Sequence, residues 1–177
     1  MTYLSHYDSP LGPLLLAADD TGLTHLALPG QRYQPTFQDT PPEKPELPIF
    51  AATCRWLDDY FADHHSAPLP PLHPQGSEFQ RAVWQLLLTI PYGETTTYGA
   101  IAQEIARQRG LPRMSAQAVG GAVGHNPIGI LIPCHRVVGS NGSLTGYGGG
   151  IDKKIALLKH EGVDMSRFFV PKKGTAL

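Results

Sequence analysis

Short stretches rich in hydrophobic residues, separated by turn-forming sequences, mark the beginning of the chain. Residues 3–7, 14–17 and 23–28 have the pattern of strands, and the turn-forming sequences Ser9-Pro10-Leu11-Gly12 and Asp19-Asp20-Thr21-Gly22 separate them. Strands joined by such short turns pair with their neighbours in sequence. The pattern therefore predicts a small antiparallel sheet.

The composition then shifts to proline and charge over residues 35–48, which predicts an extended loop. Beyond this loop, apolar residues recur at helical spacing and predict an amphipathic helix with an apolar face of Phe50, Cys54, Leu57 and Phe61. Residues 66–74 contain four prolines and predict a stiff linker. We accordingly divide the chain into an α/β domain, residues 1–75, and a second domain, residues 76–177.

The second domain begins with three helices, each preceded by a capping residue. Ser77 and Gln80 form a capping box, Thr97 caps a helix over residues 98–108, and Ser115 caps a helix over residues 116–124. The second and third helices are joined by a short turn containing Gly110 and predict a helix-turn-helix. The third helix carries mostly small side chains, which allows either tight helix packing or close approach of a large partner.

The end of the chain completes the predicted fold. Asn141-Gly142 is a hairpin signal between residues 137–138 and 144–145, and this hairpin would form the wing of a winged helix-turn-helix. A glycine-rich loop, residues 146–150, precedes a last helix that starts near Asp152 and ends at Gly162. The predicted fold class is thus α/β with a small antiparallel sheet, followed by a mainly α winged helix-turn-helix domain.

Composition narrows the class of protein. The 177 residues are 41% hydrophobic and 16% charged, as expected of a globular protein, and no apolar run approaches the roughly 20 residues that span a bilayer. The N-terminus has no pattern of a secretion signal, and two cysteines do not form a disulfide framework. We expect a cytoplasmic protein, monomeric and without a membrane partner.

The net charge of −1 hides an asymmetry. Residues 1–75 hold three basic and nine acidic residues, a net charge of −6, whereas residues 76–177 hold eleven basic and six acidic residues, a net charge of +5. A basic second domain favours a polyanionic partner, although a solvated basic surface would have the same composition.

Residues 126–138 contain the most distinctive chemistry. Cys134 follows an apolar run and a proline, and it stands next to His135. Apolar surroundings alone would leave the thiol inert, whereas a neighbouring proton acceptor would make it a nucleophile. The pair by itself allows both a buried structural cysteine and a catalytic one.

The surrounding sequence favours the catalytic alternative. Pro133-Cys134-His135-Arg136-Val137, Asn126-Pro127, Gly146-Tyr147-Gly148-Gly149 and the stretch 157–162 resemble the 6-O-alkylguanine–DNA alkyltransferases, over about residues 77–162. The resemblance implies repair of double-stranded DNA that contains 6-O-alkylguanine, with 4-O-alkylthymine as a further lesion. It implies a methyltransferase that flips the damaged base and acts once, without a cofactor, because the alkyl group stays on Cys134.

The resemblance also implies roles for individual residues. Cys134 is the alkyl acceptor, His135 takes its proton through a water, Glu161 orients the imidazole, and Asn126 ties the helix-turn-helix to the active-site segment. Tyr98, Val137, Tyr147 and Gly148 contact the substrate base. The residues expected to contact DNA are Gln117, Ala116, Ala118, Gly120, Gly121 and Arg81.

Two departures from the family pattern bear on function. Gln117 stands where well-known members carry an arginine that enters the base stack, so we expect weaker DNA binding. Some members hold a zinc ion through cysteines near the N-terminus, and this chain has none there. His64, His65 and His73 are close in sequence but lack further ligands at suitable spacing, so we expect no metal.

Two other functions remain open on sequence grounds. A cysteine hydrolase would use Cys134 and His135 with turnover. A DNA-binding protein that recognises the lesion without accepting the alkyl group would need no nucleophile, and the presence of Cys134 argues against it.

Overall fold

A computed structural model of the protein describes residues 1–171. The chain forms two compact units. The first consists of Met1–Gln75 with Pro127–Leu131, and the second consists of Gly76–Asn126 with the described residues from Ile132 onward. In the described part of the chain, no helix has the length and apolar character needed to cross a bilayer.

The predicted antiparallel sheet is confirmed in the first unit. Its strands are β1 (Tyr3–Ser9), β2 (Gly12–Ala18) and β3 (Leu23–Ala27), paired in the order β1-β2-β3. Gly12 adopts a φ of +104° in the tight turn after Ser9, a conformation that favours glycine. The side chains facing the core are leucines and alanines that are almost fully buried.

The predicted amphipathic helix is α1 (Pro48–Phe61), which starts with a proline in its first turn. Its buried residues are Phe50, Thr53, Leu57 and Tyr60. Cys54, which the sequence pattern places on the apolar face, is only half-buried. Thr53 is buried in its place, because its hydroxyl donates a hydrogen bond to the Ile49 carbonyl and so needs no water.

Two segments bond to β3 along its outer edge. The Leu23 amide donates to the Pro71 carbonyl at 2.9 Å, and the Leu26 amide donates to the Pro127 carbonyl at 2.9 Å. The proline-rich residues 70–73 are therefore anchored on the sheet. A side chain at Gly22 would lie 2.6 Å from the Pro71 carbonyl oxygen, so this close approach requires glycine. Both segments cover backbone groups that an edge strand would expose.

The helices of the second unit begin at the predicted caps. They are α2 (Glu78–Leu87), α3 (Tyr98–Arg109) and α4 (Ala116–Gly124). Ser77 and Gln80 form both halves of the capping box. Gly110 ends α3 in the left-handed conformation with a φ of +65°, and the turn to α4 follows, as a helix-turn-helix requires. The Trp84 indole on α2 donates to the Ala122 carbonyl of α4 at 2.8 Å.

The hairpin predicted at Asn141-Gly142 does not join residues 137–138 to 144–145. Instead β5 (Val137–Val138) pairs in parallel with β4 (Thr96–Thr97), just before α3. The Leu144 amide donates to the Phe169 carbonyl at 2.9 Å. Asn141-Gly142 does form a tight turn, closed by the bond from the Gly139 amide to the Ser143 carbonyl, but the partners on both sides come from distant sequence.

The last helix is α5 (Ile151–His160), followed by Gly162 with a φ of +79°. Its apolar face packs on a small core of Val138, Leu144, Leu158 and Val163. This packing places the end of α5 beside the short 3-10 helix Cys134–Arg136. All the active-site candidates therefore belong to the second unit.

Candidate active site

Cys134 lies in the 3-10 helix directly after Pro133, and only 5% of its surface is exposed. The Asn126 side-chain amide donates to the Cys134 sulfur at 3.1 Å and to the Ile132 carbonyl at 2.8 Å. Asn126 follows His125, the residue that caps the end of α4. One side chain therefore holds the sulfur, the segment before it and the end of the helix-turn-helix together.

His135 and Glu161 form a fully buried pair, with 2.6 Å between the His135 Nε2 and a Glu161 carboxylate oxygen. The Arg136 guanidinium donates to both carboxylate oxygens, at 2.8 Å and 3.1 Å. The Gly93 amide donates to Glu161 at 2.9 Å. Arg136 also donates to the Ile90 carbonyl at 2.7 Å. The carboxylate is thus held by donors from two parts of the second unit, the 3-10 helix and the turn at Gly93.

This network sets the protonation of the histidine. Burial raises the pKa of Glu161, but hydrogen bonds from His135 and Arg136 outweigh it and hold the pKa far below the usual range. Burial lowers the pKa of His135, which favours the neutral imidazole. An ionised carboxylate only accepts hydrogen bonds, so Nε2 carries the proton and Nδ1 is a base. Nδ1 is buried without a hydrogen-bond partner among the described residues.

The surroundings of the Cys134 thiol shift its pKa in two opposite directions. Burial raises the pKa of Cys134, while the amide of Asn126 and the charge of Lys154 lower it. Two backbone amides, of Cys134 and His135, act in the same direction. Burial outweighs these donors, so the pKa of the Cys134 thiol stays above its ordinary value, and the donors reduce the free energy needed to form the thiolate.

Two of the predicted base-contacting residues, Tyr98 and Tyr147, lie near the Cys134 thiol. The Tyr98 hydroxyl, at the start of α3, donates to the Thr145 carbonyl at 2.9 Å. The Tyr147 ring lies edge-on to His135 with 6.5 Å between ring centroids, and its hydroxyl is buried without a hydrogen-bond partner in the described chain. Burial raises the pKa of both tyrosines, so both hydroxyls stay protonated. Gly148 approaches α4 closely, because a side chain there would meet the Gly124 carbonyl at 3.1 Å.

Lys154 is a member of the site that the sequence pattern does not reveal. It lies on α5, is fully buried, and donates to the carbonyls of Val137 and Thr145 at 2.5 Å and 2.9 Å. Burial lowers its pKa to about 8. Arg136 and Gly93 were also missed as partners of Glu161. Arg136 stands inside the quoted cysteine motif, which was the only local signal for it.

The predicted DNA-contacting residues that lie on α4 divide between its two faces. Ala116, Gln117 and Ala118 are exposed, and a side chain at Gly121 would meet no atom within 4 Å. We call these four residues the outer face of α4. Gly120 is buried on the inward side, so the structure does not place it in this surface. Arg81 is exposed on α2.

The basic residues near the helix-turn-helix differ in their availability. Arg109 pairs with Glu78 at 2.8 Å and Arg107 pairs with Glu104. Arg113, in the turn before α4, is exposed and makes no ion pair within residues 1–171. It is therefore the cation closest in sequence to the outer face that is open to a phosphate, and the sequence pattern alone did not distinguish it.

Comparison with known proteins assigns both units. Residues 78–163 match the DNA binding domain of the 6-O-methylguanine DNA methyltransferases, and residues 2–70 match the ribonuclease-like domain of the same proteins. The helix-turn-helix and the buried cysteine that follows it therefore belong to a protein of the 6-O-methylguanine DNA methyltransferase class.

Individual relatives cover nearly the whole chain. A methylated-DNA–protein-cysteine methyltransferase from Mycobacterium leprae is 47% identical over 91% of this chain and 93% of its own, and one from Methanosarcina acetivorans is 45% identical over 90% and 98%. The crystal structure of Mycobacterium tuberculosis OGT in complex with DNA matches with a TM-score of 0.76 and 44% identity, covering 94% of each chain. The chain belongs to the methylated-DNA–protein-cysteine methyltransferase family.

Proposed function

We propose that this protein repairs double-stranded DNA by transferring the alkyl group from the 6-oxygen of guanine to the sulfur of Cys134. The observation that supports this most directly is the Cys134 sulfur itself, buried beside an amide donor and a histidine whose Nδ1 is a base. A cysteine that only fills space in a core does not need an amide donor or a base next to it. 4-O-alkylthymine is a second proposed substrate.

The reaction balances without a cofactor. The thiol proton passes through a water to the His135 Nδ1, and the thiolate attacks the alkyl carbon in line with the bond to oxygen. A carbon–sulfur bond forms, the carbon–oxygen bond breaks, and the electron pair leaves with the guanine. The Tyr98 hydroxyl donates to guanine N3 and stabilises this leaving group. A thioether has no leaving group that water displaces easily, so each protein molecule acts once.

Each polar residue of the site has a proposed role in this step. Glu161 stabilises the imidazolium that forms when His135 takes the proton. Arg136 and the Gly93 amide position Glu161 and keep it ionised. Asn126 stabilises the thiolate by a charge-assisted hydrogen bond.

Recognition of the base requires that the nucleotide leave the duplex, because the 6-oxygen of a stacked guanine cannot reach a buried thiol. This flipping costs a few kcal/mol, and less for a lesion that pairs badly. The carbonyl of Val137 retains a second lone pair for the exocyclic amine of guanine. Tyr147 and the Gly148 backbone form the loop that closes over the base.

The outer face of α4 is proposed to contact the minor groove. Its small side chains allow the backbone to approach the shallow groove closely. Gln117 is proposed to fill the gap left by the flipped nucleotide, and Arg113 and Arg81 to contact phosphates. We further propose that residues 1–75 and 76–177 are separate domains, and that the protein works as a monomer in the cytoplasm, where its two cysteines stay reduced.

A mass spectrum tests the proposal. After incubation with an oligonucleotide containing 6-O-methylguanine, we expect the mass of the protein to rise by one methyl group, located on the peptide that contains Cys134. The amount transferred should equal and never exceed the amount of protein. Transfer beyond one equivalent would support a hydrolase, and an unchanged mass with tight binding of the lesion would support a recognition protein.

A further inference from the structure

One backbone carbonyl links the two halves of the site. The Thr145 carbonyl accepts hydrogen bonds from both the Tyr98 hydroxyl and the Lys154 ammonium, each at 2.9 Å. The same ammonium also holds the carbonyl of Val137, at the end of the active-site segment. Lys154 thus connects α5 to the strand β5 and to the loop that leads to Tyr147.

This arrangement matters for the Tyr98 hydroxyl, which has a single proton to donate. In the resting protein that proton lies on the Thr145 carbonyl. To donate to a purine nitrogen, the hydroxyl must leave this carbonyl. The Thr145 carbonyl is partly shielded from water, so losing its hydrogen bond would cost free energy, but a carbonyl oxygen has two lone pairs and Lys154 occupies the second.

We propose that Lys154 is a positioning residue for base recognition. Its ammonium keeps the Thr145 carbonyl paired when the Tyr98 hydroxyl turns to the base, and it fixes the Val137 carbonyl at the same time. The inference rests on the proposed function, since it assigns Tyr98 to the purine. Lys154 touches neither the alkyl group nor the purine in this scheme, so it acts through Tyr98 and Val137.

The surroundings of Lys154 allow its effect to be separated from that on the thiol. Its charge acts on Cys134 and His135 of the 3-10 helix, and Tyr98 of α3 shares the Thr145 carbonyl with it. Because its charge also favours the thiolate, Lys154 affects the reaction of Cys134 with any electrophile. Dividing the rate of methyl transfer by the rate of a second reaction of the same thiol removes this shared effect on the thiolate.

The experiment therefore measures two rates on the full-length protein. One is methyl transfer from saturating 6-O-methylguanine oligonucleotide, and the other is alkylation of Cys134 by iodoacetamide, read from the mass of its peptide. Lys154→Met should lower the ratio of the first to the second by about tenfold, the effect of one charge-assisted hydrogen bond. Lys154→Arg, which keeps the charge, should recover part of the ratio.

The double variant with Tyr98→Phe gives a readout that a merely structural lysine would not move. If Lys154 serves to release the tyrosine hydroxyl, its loss costs less when no hydroxyl is present. We expect the ratio in Tyr98→Phe/Lys154→Met to be higher than the product of the two single effects. In the parent the ratio should fall as pH rises through about 8, because Lys154 loses its proton, and in Lys154→Arg it should not.

Two results would overturn the inference while leaving the proposed function intact. These are a parent that accepts the methyl group while Lys154→Met keeps the ratio unchanged, and effects of Tyr98→Phe and Lys154→Met that simply multiply. Thermal unfolding of each variant identifies those that do not fold, and the pH profile of the parent needs no variant. If the parent accepts no methyl group, the proposed function itself has failed.

Discussion

The surroundings of Cys134 and the outer face of α4 lie in the same unit but differ in burial and in hydrogen bonding. Around Cys134, polar groups are buried and their positions are fixed by hydrogen bonds to Asn126, Glu161 and Lys154. On the outer face of α4, small side chains are exposed and a side chain at Gly121 would touch nothing. The first arrangement fixes the chemistry of one atom, and the second leaves room for a large partner.

The difference implies that the two regions can be altered separately. Changes around Cys134 should alter its reaction with any electrophile while DNA affinity stays the same. Changes on the outer face should alter DNA affinity while the reaction of Cys134 with iodoacetamide stays the same. A change in one region that moves the other property would break this comparison.

The largest effect is expected from Cys134→Ser. A serine hydroxyl has a much higher pKa than a thiol and is a poor nucleophile without strong activation, so methyl transfer should be lost entirely. Affinity for the methylated oligonucleotide, measured by fluorescence anisotropy, should be retained. Cys54→Ser is the matched control, because this half-buried thiol lies in the first unit, and full transfer is expected there. Transfer that persists in Cys134→Ser would refute the proposed function.

Glu161→Gln should lower the stability of the protein. It leaves the buried Arg136 guanidinium without its carboxylate, which should lower the free energy of unfolding by about 3–5 kcal/mol in chemical denaturation. The matched control is Glu104→Gln, which breaks the exposed pair with Arg107 and should lower the free energy of unfolding far less, because solvent screens exposed charges. Similar costs for the two variants would contradict the role of the buried network.

The same carboxylate predicts a pH dependence. Because the pKa of Glu161 is lowered in the folded protein, its contribution to stability is complete above the unfolded pKa, which is about 4.3. The contribution is lost as pH falls below that value towards the folded pKa. The difference in unfolding free energy between the parent and Glu161→Gln should therefore shrink in acid, in denaturation curves recorded from pH 6 to pH 3.

Asn126→Ala removes the side-chain donor to the sulfur. Loss of one hydrogen bond to a charged group corresponds to about 1.5–3 kcal/mol, so alkylation of Cys134 by iodoacetamide near neutral pH should slow by roughly ten- to a hundredfold. The pH at which this rate reaches half its maximum should rise. A rate equal to that of the parent would show that the amide does not stabilise the thiolate.

Gly121→Ala tests the outer face. Alanine is favoured over glycine in a helix by about 1 kcal/mol, and the added methyl group meets no neighbour, so the free energy of unfolding should rise by about that amount. DNA affinity should fall, because the methyl group stands between the helix and the groove. The rate with iodoacetamide should not change. A variant that is more stable and binds DNA equally well would exclude Gly121 from the contact.

The smallest effect is expected from Gln117→Arg. One additional cation near the DNA should increase the slope of log affinity against log salt by about one unit. Affinity at low salt should rise accordingly. An unchanged affinity and slope would show that Gln117 does not lie in the DNA interface.

Features encoded by neighbouring residues were predicted from the sequence. The caps Ser77, Thr97 and Ser115 each accept a hydrogen bond from the amide three residues further on, so the starts of α2, α3 and α4 could be recognised locally. The three strands of the sheet were predicted for the same reason, since short turns join them. The hairpin signal at Asn141-Gly142 did correspond to a turn.

Features that depend on distant partners were not predicted. The partners of β5 and of Leu144 come from residues 96–97 and 169, and no local pattern encodes those pairings. Lys154 looks in sequence like a solvated residue of an amphipathic helix, and only the two carbonyls that accept its protons explain its burial. Arg136 was part of a motif, but its partner lies 25 residues further along the chain.

The indole of Trp84 offers a way to observe these events directly. The chain has two tryptophans, and Trp56 stacks on Tyr60 in the first unit, whereas the Trp84 N–H is bonded to a carbonyl of α4. In a Trp56→Phe background the emission of the protein comes from a chromophore bonded to α4, the helix proposed to contact the minor groove. Its wavelength and intensity would then follow engagement of the duplex in real time, in a stopped-flow mixer and without a dye.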